Sequence, residues 1–319
     1  MATELSDEEH RSRFQQWVRD SIRQPGRTYR ALFYTATIMF LITTLFPFYW
    51  LLVLAFTPLK NIYSTGTVLG VIPIPNGFNP GAFVEVFTLV PFYRYIFNSV
   101  IIALVTTMII LVVASFAGYA FGRLNFRGKG ILMLILLAIS YFPPATFIIP
   151  LFRFFTGNIL LLDLPSAGQI VSPNWFNSPG ALIAPFSALY MPLAVFILTT
   201  FYGQIPDGLE DAARVEGTTR LGALFRVIVP LSAPGVATAG ILTFIGVYNE
   251  FFFSFLLTDG QAQNWSPIVW GILNYQGEYQ QFYNLMAAAS IYGVVPVAIL
   301  VVVAQEKIVS GLTSGALKE

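Results

Sequence analysis

The sequence predicts an all-α, polytopic membrane protein with six transmembrane helices, and three observations predict it. Of its 319 residues 56% are hydrophobic and only 10% charged, whereas a soluble domain is about a quarter charged. Six largely uncharged stretches are long enough to cross a bilayer, which takes roughly 20 apolar residues at a rise of about 1.5 Å each. The basic residues, finally, collect in alternate connections, the pattern of short Lys- and Arg-rich loops that stay in the cytoplasm.

The elements follow in chain order. Residues 1–28 mix acidic and basic side chains with few apolar ones and read as a cytoplasmic tail, either a surface helix or disordered. The uncharged interval between Arg30 and Lys60 supplies a first span, 32–56; no cleavable signal peptide precedes it, because the apolar run is too long and too late. Seven Gly and Pro residues in Asn61–Val84 make that uncharged interval a loop rather than a span. The interval from Arg94 to Arg123 gives a second span, 96–121, and that from Lys129 to Arg153 a third, 131–151. The remaining spans are placed at 181–202, 234–257 and 285–304. Pro47, Pro143, Pro144, Pro185, Pro192 and Pro296 fall inside these spans, as kinks that neighbouring helices can satisfy. The transmembrane body is thus expected over 29–319, with a polar connection at 204–230 and a C-terminal tail at 305–319.

With the N-terminus inside, 14 of the 17 basic residues fall in cytoplasmic segments, and only Lys60, Arg94 and Arg153 fall outside. Both termini are then cytoplasmic. The outer segments Thr57–Tyr95 and Arg153–Gly180 are rich in aromatics, which suit an interfacial belt or contact with a ligand. Cysteine is absent and the one histidine, His10, is isolated on the polar tail, so thiolate metal sites and His-based triads are excluded. No catalytic constellation, metal site or cofactor motif is visible. Neither is a P-loop: Lys129 follows a glycine but precedes Gly130, and Arg123 stands where the first P-loop glycine belongs.

The connection Gln204–Gly217 is the most informative segment. Asp207 with Glu210 three residues on has the spacing of a capping box, and Gly217 suits a helix end, so a short helix is expected over 208–216. Thr218 or Thr219 can cap a second helix running to Val229, ahead of Pro230 and Pro234. Leu209, Ala212 and Ala213 form a small apolar side ringed by Glu210, Asp211, Arg214 and Glu216. Such a unit serves either as a docking knob for another protein or as a solvated loop on the membrane.

Asp211-Ala212-Ala213, Glu216-Gly217, Ile228, Pro230-Leu231 and Pro234 resemble the EAA loop in permease subunits of binding-protein-dependent ABC importers. Asp211 stands where that family usually has Glu, and Glu216 where it has Asp; both keep the charge. Tyr248-Asn249-Glu250-Phe251 resembles the Trp-Asn-Glu-Phe of carbohydrate-uptake permeases, and Gly311 to Lys318 resembles the tail of the shorter maltose permease subunit. The resemblance implies the type I importer permease fold and half of a sugar or oligosaccharide pore in the cell membrane. It also implies several partners: a cytoplasmic ABC ATPase dimer, a second permease in a heterodimer, an extracytoplasmic solute-binding protein and membrane lipid, with no nucleic acid. The chain itself would be no enzyme and carry no cofactor.

Carried over residue by residue, Glu210, Asp211, Ala212, Ala213, Glu216 and Gly217 would couple to the ATPase, and Gly311, Thr313, Gly315 and Lys318 would reach its dimer interface. Tyr248, Asn249, Glu250 and Phe252 are candidates for the substrate pathway, Glu250 being equally readable as a structural link. The alternatives are a permease of the same architecture for a non-sugar solute, or an ion-gradient-driven secondary transporter, which calls for paired ionisable groups at mid-membrane.

Overall fold

The computed structural model describes residues 25–68, 74–164, 168–277 and 279–314. Helix α1 (Pro25–Phe56) is followed by the short α2 (Leu59–Ser64) and α3 (Ala82–Leu89), then by the long α4 (Phe92–Arg123). Next come α5 (Lys129–Ile139), α6 (Ile148–Phe155) and an antiparallel hairpin, β1 (Leu160–Leu164) with β2 (Gly168–Val171). After α7 (Pro179–Gly203) the polar connection carries α8 (Asp207–Val215), α9 (Arg220–Ala223) and α10 (Val229–Leu231). The chain closes with α11 (Ala233–Tyr248), α12 (Phe252–Leu257), α13 (Ile268–Leu273) and α14 (Tyr283–Ser314).

Among the described residues four helices are long and apolar enough to cross a membrane unbroken: residues 28–56, 92–123, 179–203 and 283–305. These take the places of the expected first, second, fourth and sixth spans. Two further segments are bent. The third expected span turns by 85° between Lys129–Ile139 and Pro144–Phe155, at the Pro143-Pro144 pair, where two missing N–H groups and restricted φ angles stop a helix. The fifth is not one helix over 234–257: α11 ends at Tyr248 and α12 starts at Phe252. A second sharp bend, of 82°, lies ahead of it, between Arg220–Leu231 and Ala233–Tyr248. Pro47, Pro185, Pro192 and Pro296 sit inside continuous helices, as packing against neighbouring helices permits.

The core is built on α4 and α7, which approach until their backbones touch. A Cβ added at Gly118 would lie 2.9 Å from the Leu198 Cβ, and one at Gly122 would lie 2.9 Å from the Thr199 carbonyl oxygen. Gly118 and Gly122 are four residues apart on one face, the spacing by which small residues draw membrane helices together where lipid gives no hydrophobic drive. One apolar cluster forms around the first half of α4, with Phe92, Tyr95 and Ile102 against Leu182, Phe186 and Tyr275. Another forms around its second half, with Ile110, Ala114 and Tyr119 against Leu198, Tyr202, Leu224 and Ile228. In contrast α1 leaves Leu32, Phe33, Ile38, Met39 and Phe40 exposed along its length, a surface suited to lipid or to other membrane helices.

The connections at the N-terminal end of α4 are ordered by hydrogen bonds across long stretches of sequence. Asn98 Nδ2 donates to the Ala262 and Ser266 carbonyls at 2.8 and 3.0 Å, Tyr95 Oη donates to the Gly260 carbonyl at 2.7 Å, and Tyr275 Oη to that of Val86 at 2.6 Å. The segment 153–180, read from sequence as a loop, contains the hairpin, whose Leu160, Leu161, Leu162, Ile170 and Val171 are exposed.

Candidate functional site

Helix α8 projects from the connection between α7 and α11. Pro206 (φ −55, ψ 135) fixes the entry, Asp207 and Glu210 occupy the positive first turn, and Arg214 lies in the last. The end is made by Gly217, whose φ of +90 is a left-handed conformation that favours glycine. Its N–H donates to the Arg214 carbonyl at 3.0 Å, and that of Thr218 to the Ala213 carbonyl at 3.0 Å. Thr219 then caps α9, its Oγ1 accepting from the Gly222 N–H at 3.1 Å.

The expected capping box does not form. Pro206 is the N-cap, Asp207 is the first helical residue, and no side chain caps the helix. The reason is that the Glu210 carboxylate is taken by α4. Tyr119 Oη donates to Glu210 Oε1, and Arg123 Nε donates to Glu210 Oε2 at 3.0 Å. The same guanidinium pairs with Asp207 Oδ1 at 2.9 Å through Nη2, and its Nη1 donates to the Ile205 carbonyl. The Arg123 side chain is 4% exposed and that of Glu210 10%, while Asp207 is 90% exposed. A cation so far removed from water is held by charge-assisted bonds on several sides, and removing either buried partner strands the other.

This arrangement divides the candidate coupling residues. Glu210 faces the membrane body; Asp211, Ala212, Glu216 and Gly217 are exposed, and Ala213 is half-buried. Asp211 pairs with Arg214 at 3.7 Å on the open surface, a pair of little energetic weight. Leu209 is also exposed, and Val215 is 88% exposed at the tip. The outward ridge is therefore part acidic and part apolar. Sequence reasoning missed Tyr119 and Arg123, counting Arg123 only as a cytoplasmic charge, and missed Val215. The available signal was their spacing: Tyr119 and Arg123 are four apart, on one face at the end of a span.

The second candidate region lies at the break between α11 and α12. Glu250 is buried there and closes the N-terminus of α12. Its Oε1 accepts from the Phe252 and Phe253 N–H groups at 2.7 and 3.0 Å, and its Oε2 from those of Phe253 and Ser254 at 3.1 and 3.2 Å. Tyr248 is buried as well, donating from Oη to the Gly293 carbonyl at 2.9 Å. Asn249 and Phe252 remain exposed. Phe251, Phe255 and Trp270 stack in sequence, with centroids 5.5 and 4.7 Å apart; Trp270 comes from α13, which the sequence did not link to this cluster.

Replacing Glu250 with Ala leaves those amides of α12 without their acceptor, a loss of about 1–3 kcal/mol for buried donors. The expected result is a lower thermal unfolding midpoint in detergent, with Glu250→Gln, which keeps one acceptor oxygen, falling between. An unaltered midpoint in the Ala variant would show that water replaces the cap.

Among the described residues no three His, Cys, Asp or Glu side chains come together as metal ligands. Of the candidate tail residues, Gly311 and Thr313 lie in the last turns of α14, whereas Gly315 and Lys318 lie outside the described residues, as does His10.

Comparison with known proteins agrees with the fold. The sequence profile of the family described as binding-protein-dependent transport system inner membrane component matches residues 110–312. The sulfoquinovosyl glycerol transport system permease protein SmoH of Agrobacterium fabrum is 37% identical over 91% of this chain and 94% of its own length. The trehalose/maltose transport system permease protein MalG of Thermococcus litoralis is 32% identical over 91% of this chain and 97% of its own. A chain of a bacterial ABC transporter involved in the import of alginate shares the fold at a TM-score of 0.68 and 17% identity, over 89% of this chain and 97% of that one. A second alginate transporter structure, in complex with an alginate pentasaccharide-bound periplasmic protein, aligns at a TM-score of 0.64 and 18% identity, over 90% and 94%. Among the described residues the four unbroken membrane helices and the two bent pairs thus have the type I importer permease fold. The chain belongs to the family of binding-protein-dependent transport system inner membrane components: it is a multi-pass permease subunit of an ABC importer, not an enzyme.

Proposed function

We propose that this chain forms half of the translocation pathway for a sugar or oligosaccharide and receives the ATP-driven stroke through α8. The carrying observation is the ridge of α8, where Asp211, Ala212, Glu216 and Gly217 stand exposed on a helix whose opposite side is anchored to α4. A groove on a cytoplasmic ATPase dimer would accept that ridge. The solute class rests on the relatives, which are named for sulfoquinovosyl glycerol, trehalose and maltose transport. A second permease would complete the pore, as a heterodimer, and a solute-binding protein would deliver from the outer side. Orientation follows the charge asymmetry, with α8 and both termini in the cytoplasm. The C-terminal tail would extend from α14 toward the ATPase, and Asn249 and Phe252 would face the substrate pathway.

Against an ion-gradient mechanism stands the condition of Glu250, whose two oxygens are engaged by α12 rather than aimed at a second ionisable group. The test is affinity purification of the tagged chain from native membranes, followed by reconstitution with the cognate binding protein. A copurifying P-loop ATPase and a second permease, with uptake of the binding protein's sugar only in the presence of ATP, are the expected results. Solute transport by the isolated polypeptide would overturn the proposal.

A further inference from the structure

We propose that Tyr119 and Arg123 are positioning residues that fuse α8 to the α4–α7 pair, so that the coupling helix moves with these two helices as one lever. This rests on the coupling role proposed for α8, but it reassigns Glu210. Rather than a contact for the ATPase, Glu210 is the inner anchor of the lever.

Three features of the structure lead there. First, Arg123 grips both α8 and the link that leads into it: Nε on Glu210, Nη2 on Asp207, Nη1 on the Ile205 carbonyl. A planar guanidinium with its donors fixed in three directions resists rotation of the helix in a way that one ion pair does not. Second, the link is only Gln204–Pro206, and α7 before it is locked to α4 by the backbone contacts of Gly118 and Gly122 and by Tyr202, which is fully buried and donates to Ser115 Oγ at 3.2 Å. Third, the helical return segment of the connection is inserted into the same core, with Leu224 and Ile228 buried beside Tyr119, Leu198 and Tyr202. The connection therefore has no free hinge on its α7 side. Force applied to the exposed ridge reaches α4 and α7 without an intervening joint, which is the physical content of a coupling pathway: a contiguous packed element biased at one end.

The chain contains no cysteine, so two introduced cysteines report alone. Spin labels at Arg214→Cys, on α8, and Met108→Cys, exposed midway along α4, are placed in the permease within its full complex with the ATPase. Electron–electron distance measurement is then made in the nucleotide-free and the vanadate-trapped states. The expected result is one narrow distance that is the same in both states. In the labelled background Arg123→Gln broadens that distribution and lowers uptake roughly tenfold, while the ATPase still copurifies; Tyr119→Phe, which removes a single hydroxyl, lowers uptake by about twofold to fivefold. A distance that changes between the two states in the parent overturns the lever, and so do variants that keep both the narrow distribution and full uptake. Loss of the copurified ATPase in Glu210→Gln, with the chain still in the membrane, returns Glu210 to the docking surface and also overturns it. If instead the parent chain brings down no ATPase at all, the coupling role itself fails, and with it the lever.

Discussion

Asp211→Lys is expected to abolish ATP-driven uptake while leaving the chain folded in the membrane. The Asp211 side chain is 69% exposed, and its ion pair with Arg214 at 3.7 Å lies on the open surface, so its removal costs the permease itself little. The substitution reverses a charge in the middle of the ridge formed by Leu209, Ala212, Val215 and Glu216. The groove proposed to accept this acidic ridge is complementary and therefore basic, and a lysine set against it costs several kcal/mol, a loss of binding on the order of 100-fold or more. Copurification of the ATPase and uptake should therefore fall together, with detergent unfolding unchanged. A useful contrast is Arg214→Ala, expected to alter neither by more than about twofold, as for an exposed pair. Uptake at the parental rate in Asp211→Lys would move the docking surface off this face of α8.

How far this arrangement could be read in the sequence depends on how local its causes are. The unbroken spans were visible because an uncharged window is a property of consecutive residues, and α4, α7 and α14 fall where Arg94, Arg123 and the polar connections bound them. The turn chemistry of the polar connection was equally local: Gly217 takes its left-handed conformation and Thr219 caps the following helix. The break at residues 249–251 was hidden because hydropathy does not register it. Tyr248 and the phenylalanines around Glu250 continue an apolar run, while the carboxylate claims the amides that a continuous helix would have bonded to its own carbonyls. The capping role expected of Glu210 failed for a different reason. Its spacing from Asp207 satisfies the capping-box pattern, but its partners Tyr119 and Arg123 are 91 and 87 residues away, and only tertiary packing brings a buried guanidinium close enough to outcompete a backbone amide. The hairpin at 160–171 likewise required knowing that two short apolar runs pair with each other.

The largest structural effect is expected at the contact that makes the lever stiff. Gly122→Val would place a Cβ 2.9 Å from the Thr199 carbonyl oxygen and 3.2 Å from the Gly203 nitrogen. Both obstacles are backbone, so no rotamer change can relieve them, and α4 must part from α7. Overpacking of a closed core costs about 1–3 kcal/mol or more, and here separation also draws Arg123 away from Glu210 and Asp207, since Arg123 directly follows Gly122 and α8 follows α7 by only Gln204–Pro206. Removing a buried partner adds about 3–5 kcal/mol, and a helical membrane domain has little reserve against such a sum. The expected result is loss of folded protein from the membrane fraction, or, where some survives, a thermal midpoint lowered by well over ten degrees with no uptake. Gly130→Ala, with nothing within 4 Å of the added carbon, should behave as the parent. Gly118→Ala stands between: its added carbon meets the Leu198 Cβ at 2.9 Å and the Leu198 backbone carbon at 3.2 Å, and a small shift of α7 can relieve part of the clash. Were Gly122→Val to fold and transport normally, α4 and α7 could not be in backbone contact, and the coupling helix would have to transmit its motion by another route.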